Sequence, residues 1–563
     1  MVNAISVFLY GGKTMRKIKT IEVKIPEKMK ISGNGKVMAA PIIITLIIAA
    51  VMYYFFLPPV NLKAVTFWVF IAVILVIYIF LAAVFAAGKK QEPAVKVPLI
   101  SLAAIICLFL VVTVFGTRIF HAKRYSEILH VQEDSIDVIP SVSGSSSIAL
   151  MDTASAERLG DRRIGSLTNV VSQFNVGSYV QINYQDVPVK VAPLEYDGFF
   201  KWRTNKNNGI PGYVLVNPVD MSADYIALNE NMRYVPSAFF SDNLYRKIRF
   251  SYPTVLFDFV HFEIDEDGNP KYIAPVYDHS IGLFGGKIVK GAIIIDPITG
   301  AMEKYDVENI PQWADVIFEG DLICTQYNDH AQLQHGFFNS IFSQKDCRQI
   351  TTLEREDDDG DSVRYQDYGY IAKDGDIWIY TGVTSVNGDS SNIGFILANE
   401  RTSETKFIPC AGADEFSGMK SAEGEVQEKG YIASFPSLIN VDGKPTYIMV
   451  LKDANGLVKM YAAVDVEQYN TVATATTQAE CLEKYGRLIK ADIPTDTSEF
   501  TQKTITIQRI ETMVIDGNTW IYIVDENKNI YHALYADVLE MLLVEEGDTI
   551  SILTDGNIFS ISE

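Results

Sequence analysis

The alternation of apolar and polar positions changes character along the chain. Three uninterrupted apolar runs come first: Val37–Leu57, Val65–Ala87 and Val97–Phe115. None contains Asp, Glu, Lys, Arg or His, and each is long enough to predict a helix crossing roughly 30 Å of hydrocarbon. A cleaved leader would be one shorter run, so all three are read as retained spans. Beyond Phe115 the apolar runs shorten, become rich in Val, Ile, Tyr and Phe, and are separated by Asp-Gly and Asn-Gly pairs. That is the pattern of β-hairpins. One exception is Ala149–Ser172, which reads as helical, with Asp152 or Thr153 as its N-cap and Gly160 as its stop.

Within the β region two phrases recur. An Asp-Gly turn feeds an aromatic-bearing strand in DGFFKW from Asp197, DGNPKYIAPV from Asp267, DGDIWIYTGV from Asp374, DGKPTYIMVL from Asp442 and DGNTWIYIVD from Asp516. A second apolar strand follows and ends in Asn or Asp: GYVLVN at Asn217, GAIIID at Asp296, GFILAN at Asn399 and MYAAVD at Asp465. Such a side chain bonds its own backbone two residues on, and a following proline presets the turn. The spacing between copies is too irregular for a solenoid of fixed period. It predicts a tandem of related small α+β units with insertions, and makes Asp296 a structural residue rather than a catalytic one. The tail differs, with strands over 503–513, 518–524, 528–535, 548–554 and 557–562 and a short helix at Val538–Leu543. That order is OB-like. Trp520, Tyr522 and Tyr531 are expected in its core.

Charge divides the chain in the same place. Residues 1–124 carry a balance of +12 and residues 125–563 one of −33, which together give the net −21. An acidic region of that size argues against nucleic-acid binding. With the N-terminus inside, the cytoplasmic flanks hold eleven Lys/Arg and the outer flanks four, Lys63, Arg118, Lys123 and Arg124. The asymmetry predicts an N-in, C-out topology. The spans hold no charged residue that could relay protons or bind a substrate, so they read as an anchor. Before Met15, the Gly11-Gly12-Lys13 codons can form a ribosome-binding sequence, so translation is expected to begin at Met15.

No constellation carries chemistry. Ser417-Gly-Met-Lys420 has SxxK spacing, but Ser390-Ser391-Asn392 precedes it and no KTG or KSG follows. His330 and His335 are five apart and do not share a helix face, so zinc is not expected. Asp357–Asp361 lacks the rest of a calcium loop. Arg158, Arg162 and Arg163 form a local basic patch, read as ion-pair partners of neighbouring acids or as an anion contact. Of five cysteines, Cys107 lies in the third run, while Cys324, Cys347, Cys410 and Cys481 follow it and allow three pairings. No catalytic, cofactor-binding or metal-binding residue is assigned, and no cofactor is expected.

A strand ending in apolar-apolar-Asp-x-x-Thr-Gly, best seen in Gly291–Tyr305 (GAIIIDPITGAMEKY), resembles the PepSY-type domain. The copy at Gly212 departs from it at Asp220 and Met221, and the copy at Gly394 has Ser403 in place of the glycine. The whole chain is similar to multi-span membrane proteins of Gram-positive bacteria. The resemblance implies an envelope protein with a regulatory or interaction role, peptidase regulation among them. The expected fold is three N-terminal transmembrane α-helices followed by a β-rich α+β ectodomain of tandem PepSY-like units and a C-terminal small OB-like β-barrel. Its expected parts are a basic cytoplasmic segment (1–36), the three helices (37–116), a juxtamembrane hinge and helical segment (117–172), two PepSY-like pairs (173–350 and 351–500) and the barrel (501–563). The expected function is a non-enzymatic, membrane-anchored extracytoplasmic binding, scaffold or regulatory protein. Its partners would be the lipid bilayer and a protein or peptide outside the membrane, with no nucleic acid. The alternative is an envelope peptidase regulator or hydrolase whose site is assembled from distant residues.

Overall fold

A computed structural model describes residues 36–85, 92–141, 150–356, 362–366, 368–386, 391–492, 501–515, 518–554 and 559–561. The basic N-terminal segment with Met15, the serines at 142–147, the acidic run 357–361 and the Asp516-Gly517 turn lie outside the described residues. The three apolar runs are helices: α1 (Lys36–Phe56), α2 (Val65–Phe85) and α3 (Glu92–Phe115). All three are long and apolar enough to cross a membrane, and their surfaces are almost wholly bare of protein. That is the expectation for side chains solvated by lipid. Residues 36–58 and 66–110 form one compact unit, and residues 59–65 with those from 111 onward form another. In the first unit, Tyr53 of α1 meets Phe70 of α2 edge to face at 6.3 Å.

The second unit opens with α4 (Arg118–Ser126) and α5 (Thr153–Gly165). Asp152 caps α5 by accepting from Ser155 N at 2.9 Å. Contrary to expectation, α5 runs through Gly160. That glycine is needed for close approach rather than as a stop, because a Cβ there would lie 1.6 Å from the Tyr179 hydroxyl.

Four antiparallel meanders follow. The first comprises β1 (Val180–Tyr184), β2 (Val187–Tyr196), β3 (Ile210–Asn217) and β4 (Ser222–Met232), with α6 (Phe199–Asn205) between β2 and β3. After α7 (Leu244–Ser251) comes the second: β5 (His261–Ile264), β6 (Pro270–Ile281), β7 (Gly285–Ile295) and β8 (Met302–Asp306). After α8 (Gly320–Leu333) comes the third: β9 (Gly369–Lys373), β10 (Asp376–Ser385), β11 (Ser391–Asn399) and β12 (Thr405–Ala413). After α9 (Glu415–Glu425) comes the fourth: β13 (Ser437–Val441), β14 (Lys444–Lys452), β15 (Val458–Asp465) and β16 (Val472–Ala475), closed by α10 (Gln478–Asp492).

Each copy therefore reads helix, then four strands in sequential register. In all four, a short segment ahead of the first strand pairs with the far end of the second: Phe174–Val176, Leu256, Arg348–Ile350 and Ile432–Ala433, the third separated from its meander by the hairpin Thr352–Glu356 and Ser362–Gln366. The meander strands of two copies precede residue 350 and those of two follow it. The helix of the first copy, α5, however precedes residue 173, and the helix and edge segment of the third, α8 and Arg348–Ile350, precede residue 351.

The two recurrent phrases occupy fixed places in the copy. The turn between first and second strands uses positive φ at both central residues in Gln185-Asp186, Asp374-Gly375 and Asp442-Gly443, the requirement of a tight hairpin. The Asp197-Gly198 pair is the exception to the expected strand. It opens α6 instead, because Phe199 and Trp202 share a helical face and pack on Phe239 at 5.3 and 5.5 Å. In the first copy Gln185-Asp186 makes the turn, without an Asp-Gly pair.

The residue ending the third strand makes the same Asx turn in every copy. Asn217 Oδ1 accepts from Val219 N and Asp220 N at 2.9 and 3.2 Å. Asp296 Oδ1 accepts from Ile298 N and Thr299 N, both at 2.9 Å. Asn399 Oδ1 accepts from Arg401 N and Thr402 N at 2.8 and 2.9 Å, and Asp465 Oδ1 from Glu467 N and Gln468 N, both at 2.8 Å.

Sheets sandwiched between layers explain the unbroken apolar strands, since both faces must be buried. Along Gly291–Ile295, Ile293 and Ile295 face the core shared with the first copy, whereas Ala292 and Ile294 face α8 and the third copy. The third and fourth copies share a core through Tyr380, Phe395, Tyr447 and Met449. The outer face of the fourth packs on α10 through Cys481, Leu482 and Tyr485. Lys452 of the fourth copy pairs with Asp152, and Arg158 donates to Asn455 O, so the last copy returns to the helix before the first.

The tail forms β17 (Thr501–Ile515), β18 (Asn518–Asp525), β19 (Ile530–Leu534), β20 (Thr549–Thr554) and β21 (Phe559–Ile561). The strand order is β19-β18-β17-β20-β21. The long β17 pairs with β20 through its first half and with β18 through its second, giving a nearly closed, barrel-like sheet. The expected helix at 538–543 is a single 3-10 stretch, Leu539–Leu543. Of the expected core aromatics only Tyr531 is interior. Trp520 and Tyr522 alternate onto the outer face and stand beside His532 at 5.8 and 5.6 Å.

Residues 59–65 are seated on the β-rich region. Val60 N donates to Pro253 O at 2.8 Å, and Asn61 Nδ2 to Thr254 O at 2.9 Å. Lys63 pairs with Asp278 at 2.8 Å and donates to His279 O at 2.7 Å. Just after α3, Arg118 forks onto Asp329 at 2.5 and 3.0 Å.

Candidate functional site

The motifs considered in the sequence resolve into local structure. Ser417 and Lys420 lie on α9, where the Ser417 amide donates to its N-cap, Asp414, at 2.7 Å. No hydrogen bond joins the Ser417 and Lys420 side chains among the described residues. His330 Nδ1 donates to Ser126 O at 2.9 Å, whereas His335 faces Asp346 at 3.1 Å. Among the described residues no cluster of His, Cys, Asp and Glu could hold a metal. Arg158 binds a backbone carbonyl rather than an acid, and Arg162 and Arg163 are exposed. Cys324, Cys347, Cys410 and Cys481 are buried free thiols. Burial pushes Cys410 and Cys481 up to about 12, so neither is a thiolate nucleophile at neutral pH.

A groove of about 210 Å³ opens between α8, the short strand Val131–Glu133, β12 and residues 346–348. Strand Val131–Glu133 pairs in parallel with β12 and forms the sheet's edge there. The Arg348 guanidinium stands 5.0 Å over the Phe407 ring, and no carboxylate lies within ion-pair distance of it among the described residues. His330, with Nδ1 donating to Ser126 O, keeps Nε2 as an acceptor 3.2 Å from Gln334 Nε2. Glu133, Gln334 and Asp346 complete the polar lining, with Tyr327 and Ala331 on the helix wall. The lining holds a cation on an aromatic platform, an imidazole, an amide and two carboxylates. It contains no Ser, Thr, Cys or Lys, and its carboxylates are Glu133 and Asp346.

A second constellation, missed in the sequence, is buried where three copies meet. Glu263 of β5 is sealed from solvent. Its carboxylate accepts from Asp315 N at 2.9 Å and Val316 N at 3.0 Å, and faces His261 Nε2 at 2.8 Å. Asp315 Oδ2 accepts from Asn183 N at 2.6 Å, and Asn183 Nδ2 donates to Gly375 O at 2.8 Å. The hairpin turns of the first and third copies are thereby tied to the second. Burial, then the nearby Glu263 charge, raises Asp315 well above the usual carboxyl range, and burial does the same for Glu400. Lys190, also interior, is pushed down to about 8 by burial and lies over the Tyr370 ring at 5.2 Å. Asp376 is held by a forked Arg401 with both contacts at 2.7 Å.

The signal for this junction was present as isolated charges within apolar strands: Lys190 in VPVKVAPL and Glu263 in HFEI. Sequence spacing alone could not bring them together. Backbone amides engage both oxygens of Glu263 and one of Asp315, which makes the cluster an internal joint, whereas Asp315 Oδ1 and Glu400 Oε2 have no hydrogen-bond partner among the described residues.

No protein-family description and no curated protein matches the sequence. Among solved structures, an exo-beta-1,3-galactanase from Clostridium thermocellum aligns at TM-score 0.18 and 9% identity, over 69% of this chain and 72% of that one. Pyrococcus horikoshii acylaminoacyl peptidase aligns at TM-score 0.15 and 12% identity, over 63% and 58%. Trypanosoma rangeli sialidase in complex with the inhibitor DANA aligns at TM-score 0.15 and 8% identity, over 69% and 54%. Likenesses this slight assign neither fold nor activity.

Proposed function

We propose that this is a non-enzymatic, membrane-anchored binding or regulatory protein of the bacterial envelope. Its PepSY-like copies would lie outside the cell and engage a protein or peptide partner. The observation that carries this reading is the groove at Arg348: open, polar, with a guanidinium lacking a carboxylate partner among the described residues. Arg348 over Phe407 suits a carboxylate on the partner, since a guanidinium binds both oxygens of one. The excess of Lys/Arg before α1 and between α2 and α3 supports the outward placement.

The alternative, a hydrolase with a site assembled from distant residues, has one favourable observation. Asp315 and Glu400 are carboxyls with raised pKa, brought together from different copies. Their complete burial away from the groove favours a structural role.

A photoreactive residue in place of Gln334, irradiated in intact cells, should give one discrete adduct that disappears in Arg348→Glu. Adducts indifferent to Arg348→Glu, or labelling of the purified chain by hydrolase-directed probes, would overturn the proposal.

A further inference from the structure

Several exposed apolar side chains gather where the chain leaves its apolar helices. The last turn of α3, Val111–Phe115, belongs to the same compact unit as the β-rich region. Gly116 follows directly, and its carbonyl accepts from the Tyr125 hydroxyl at 2.8 Å. Phe120 of α4 stacks on Phe115 at 5.2 Å and is about half exposed.

Two further segments reach this place. The β6–β7 hairpin points toward it in steps. Asp278 and His279 meet Lys63, Ser280 O accepts from Arg124, and Gly282 comes so near Gly116 that a Cβ on it would lie 3.5 Å from the Gly116 Cα. The tip beyond is Leu283-Phe284. The end of α8 arrives beside α4, where Leu333 and Phe337 pack with Ala122, Tyr125 and Ile281. The chain then turns outward into a short π-helix, Asn339–Ser343. This segment exposes Phe338 (66%), Ile341 (51%) and Phe342 (78%), with the two rings stacked at 6.4 Å.

We propose that Phe338, Ile341 and Phe342, continued by Phe120 and the Leu283-Phe284 tip, form a second membrane contact that dips into the bilayer interface beside the end of α3. The occupant of this surface is lipid, because the segment follows the end of α8 where it packs on α4, and α4 in turn stacks its half-exposed Phe120 on Phe115, the last residue of a helix long and apolar enough to span the bilayer. Water would solvate a stacked Phe338–Phe342 pair poorly, whereas the interfacial zone accepts aromatic side chains. The exposed Lys123 and Lys345 beside the patch can reach lipid phosphates while the rings lie deeper. The contact would hold the β-rich region at a fixed height and restrict its rotation about α3. It extends the membrane attachment and does not depend on the function proposed for the Arg348 groove.

The test uses the full chain reconstituted in vesicles of phosphatidylcholine and phosphatidylglycerol. An environment-sensitive maleimide fluorophore is placed on Phe342→Cys and, separately, on Phe338→Cys. Leu543→Cys, at an equally exposed apolar position on the barrel (88%), is the reference. Both 338 and 342 labels should show blue-shifted emission. Lipids bearing a shallow nitroxide should quench them at least several-fold more than the Leu543→Cys label, and aqueous iodide less. Equal iodide quenching at all three positions would overturn the proposal. So would protection of 342 from both quenchers, since that places protein on the patch. Because these positions are exposed, the labels leave the fold intact. As a check without labels, Phe342→Asp should accelerate amide exchange over residues 117–126 in vesicles but not in detergent. Equal acceleration in both would mean the side chain serves only internal packing.

Discussion

Substituting Asp296 separates a turn residue from a binding residue. Its Oδ1 accepts two backbone amides, Ile298 N and Thr299 N, at 2.9 Å each, and its Oδ2 lies 3.4 Å from Lys271 Nζ. Asp296→Ala removes both hydrogen bonds, at about 1 kcal/mol each net. It also removes a part-exposed ion pair worth at most about 1 kcal/mol, for a total of about 2–3 kcal/mol. Asp296→Asn keeps the acceptor and should lose only about 1 kcal/mol. Burial alone would raise the Asp296 carboxyl, but the Thr299 amide, Lys271 and the Ile298 amide outweigh it and hold the group below its usual value. A depressed carboxyl stabilises above its unfolded pKa, near 3.9, and loses that contribution as pH falls through its folded value. The wild-type advantage over Asp296→Asn should therefore vanish under acid conditions below about pH 4. Amide exchange of residues 291–306 in the full chain is the assay, because a chain of several units need not unfold in one step. About 2 kcal/mol corresponds to roughly a thirty-fold loss of protection if exchange proceeds by local opening. Unchanged protection together with lost partner capture would show that Asp296 is a binding residue and refute the turn argument.

Three further outcomes follow from buried positions. Gly291→Ala should lower the unfolding midpoint sharply, by the equivalent of about 3 kcal/mol or more. At φ +147° the new Cβ would lie 1.9 Å from Tyr305 O, and a backbone atom cannot yield cheaply. Glu415 is pushed up to about 7 by burial, partly offset by the Thr351 hydroxyl and the Gly382 amide. A raised carboxyl stabilises below its unfolded pKa and loses that contribution as pH rises through its folded value. Glu415→Gln should thus gain on wild type between about pH 4.3 and pH 7, by about 3 kcal/mol at the upper end, in unfolding scans at stepped pH. Lys190, lowered to about 8, costs stability while it is charged. Lys190→Met should be more stable than wild type at pH 7, with the advantage shrinking between about pH 8 and pH 10.4. A constant difference across that window would show that the lysine charge is not what the joint opposes.

The sequence made some elements plain and hid others, for physical reasons. The three helices were readable because an unbroken apolar run admits few other structures. The Asx turns at Asn217, Asp296, Asn399 and Asp465 were readable because their hydrogen bonds are local. Asp197-Gly198 misled because the same dipeptide can begin a helix, and the Phe199–Trp202 spacing decided between the two. Gly160 misled because helix propensity carries no information about Tyr179, which needs the space. The Glu263–Asp315–Glu400–Lys190 junction was illegible because its members come from different copies and meet only after the sheets stack. The Arg348 groove was hidden in the same way, with walls from residues 131–133, 327–348 and 407.

The account stands on an extracytoplasmic β-rich region, and Leu543→Cys tests that placement directly. The native cysteines of that region are buried and Cys107 lies in α3, so a small membrane-impermeant maleimide should report the introduced thiol. Labelling in intact cells to the same extent as after lysis is the predicted result. Labelling only after the membrane is opened would place the β-rich region in the cytoplasm and contradict the account.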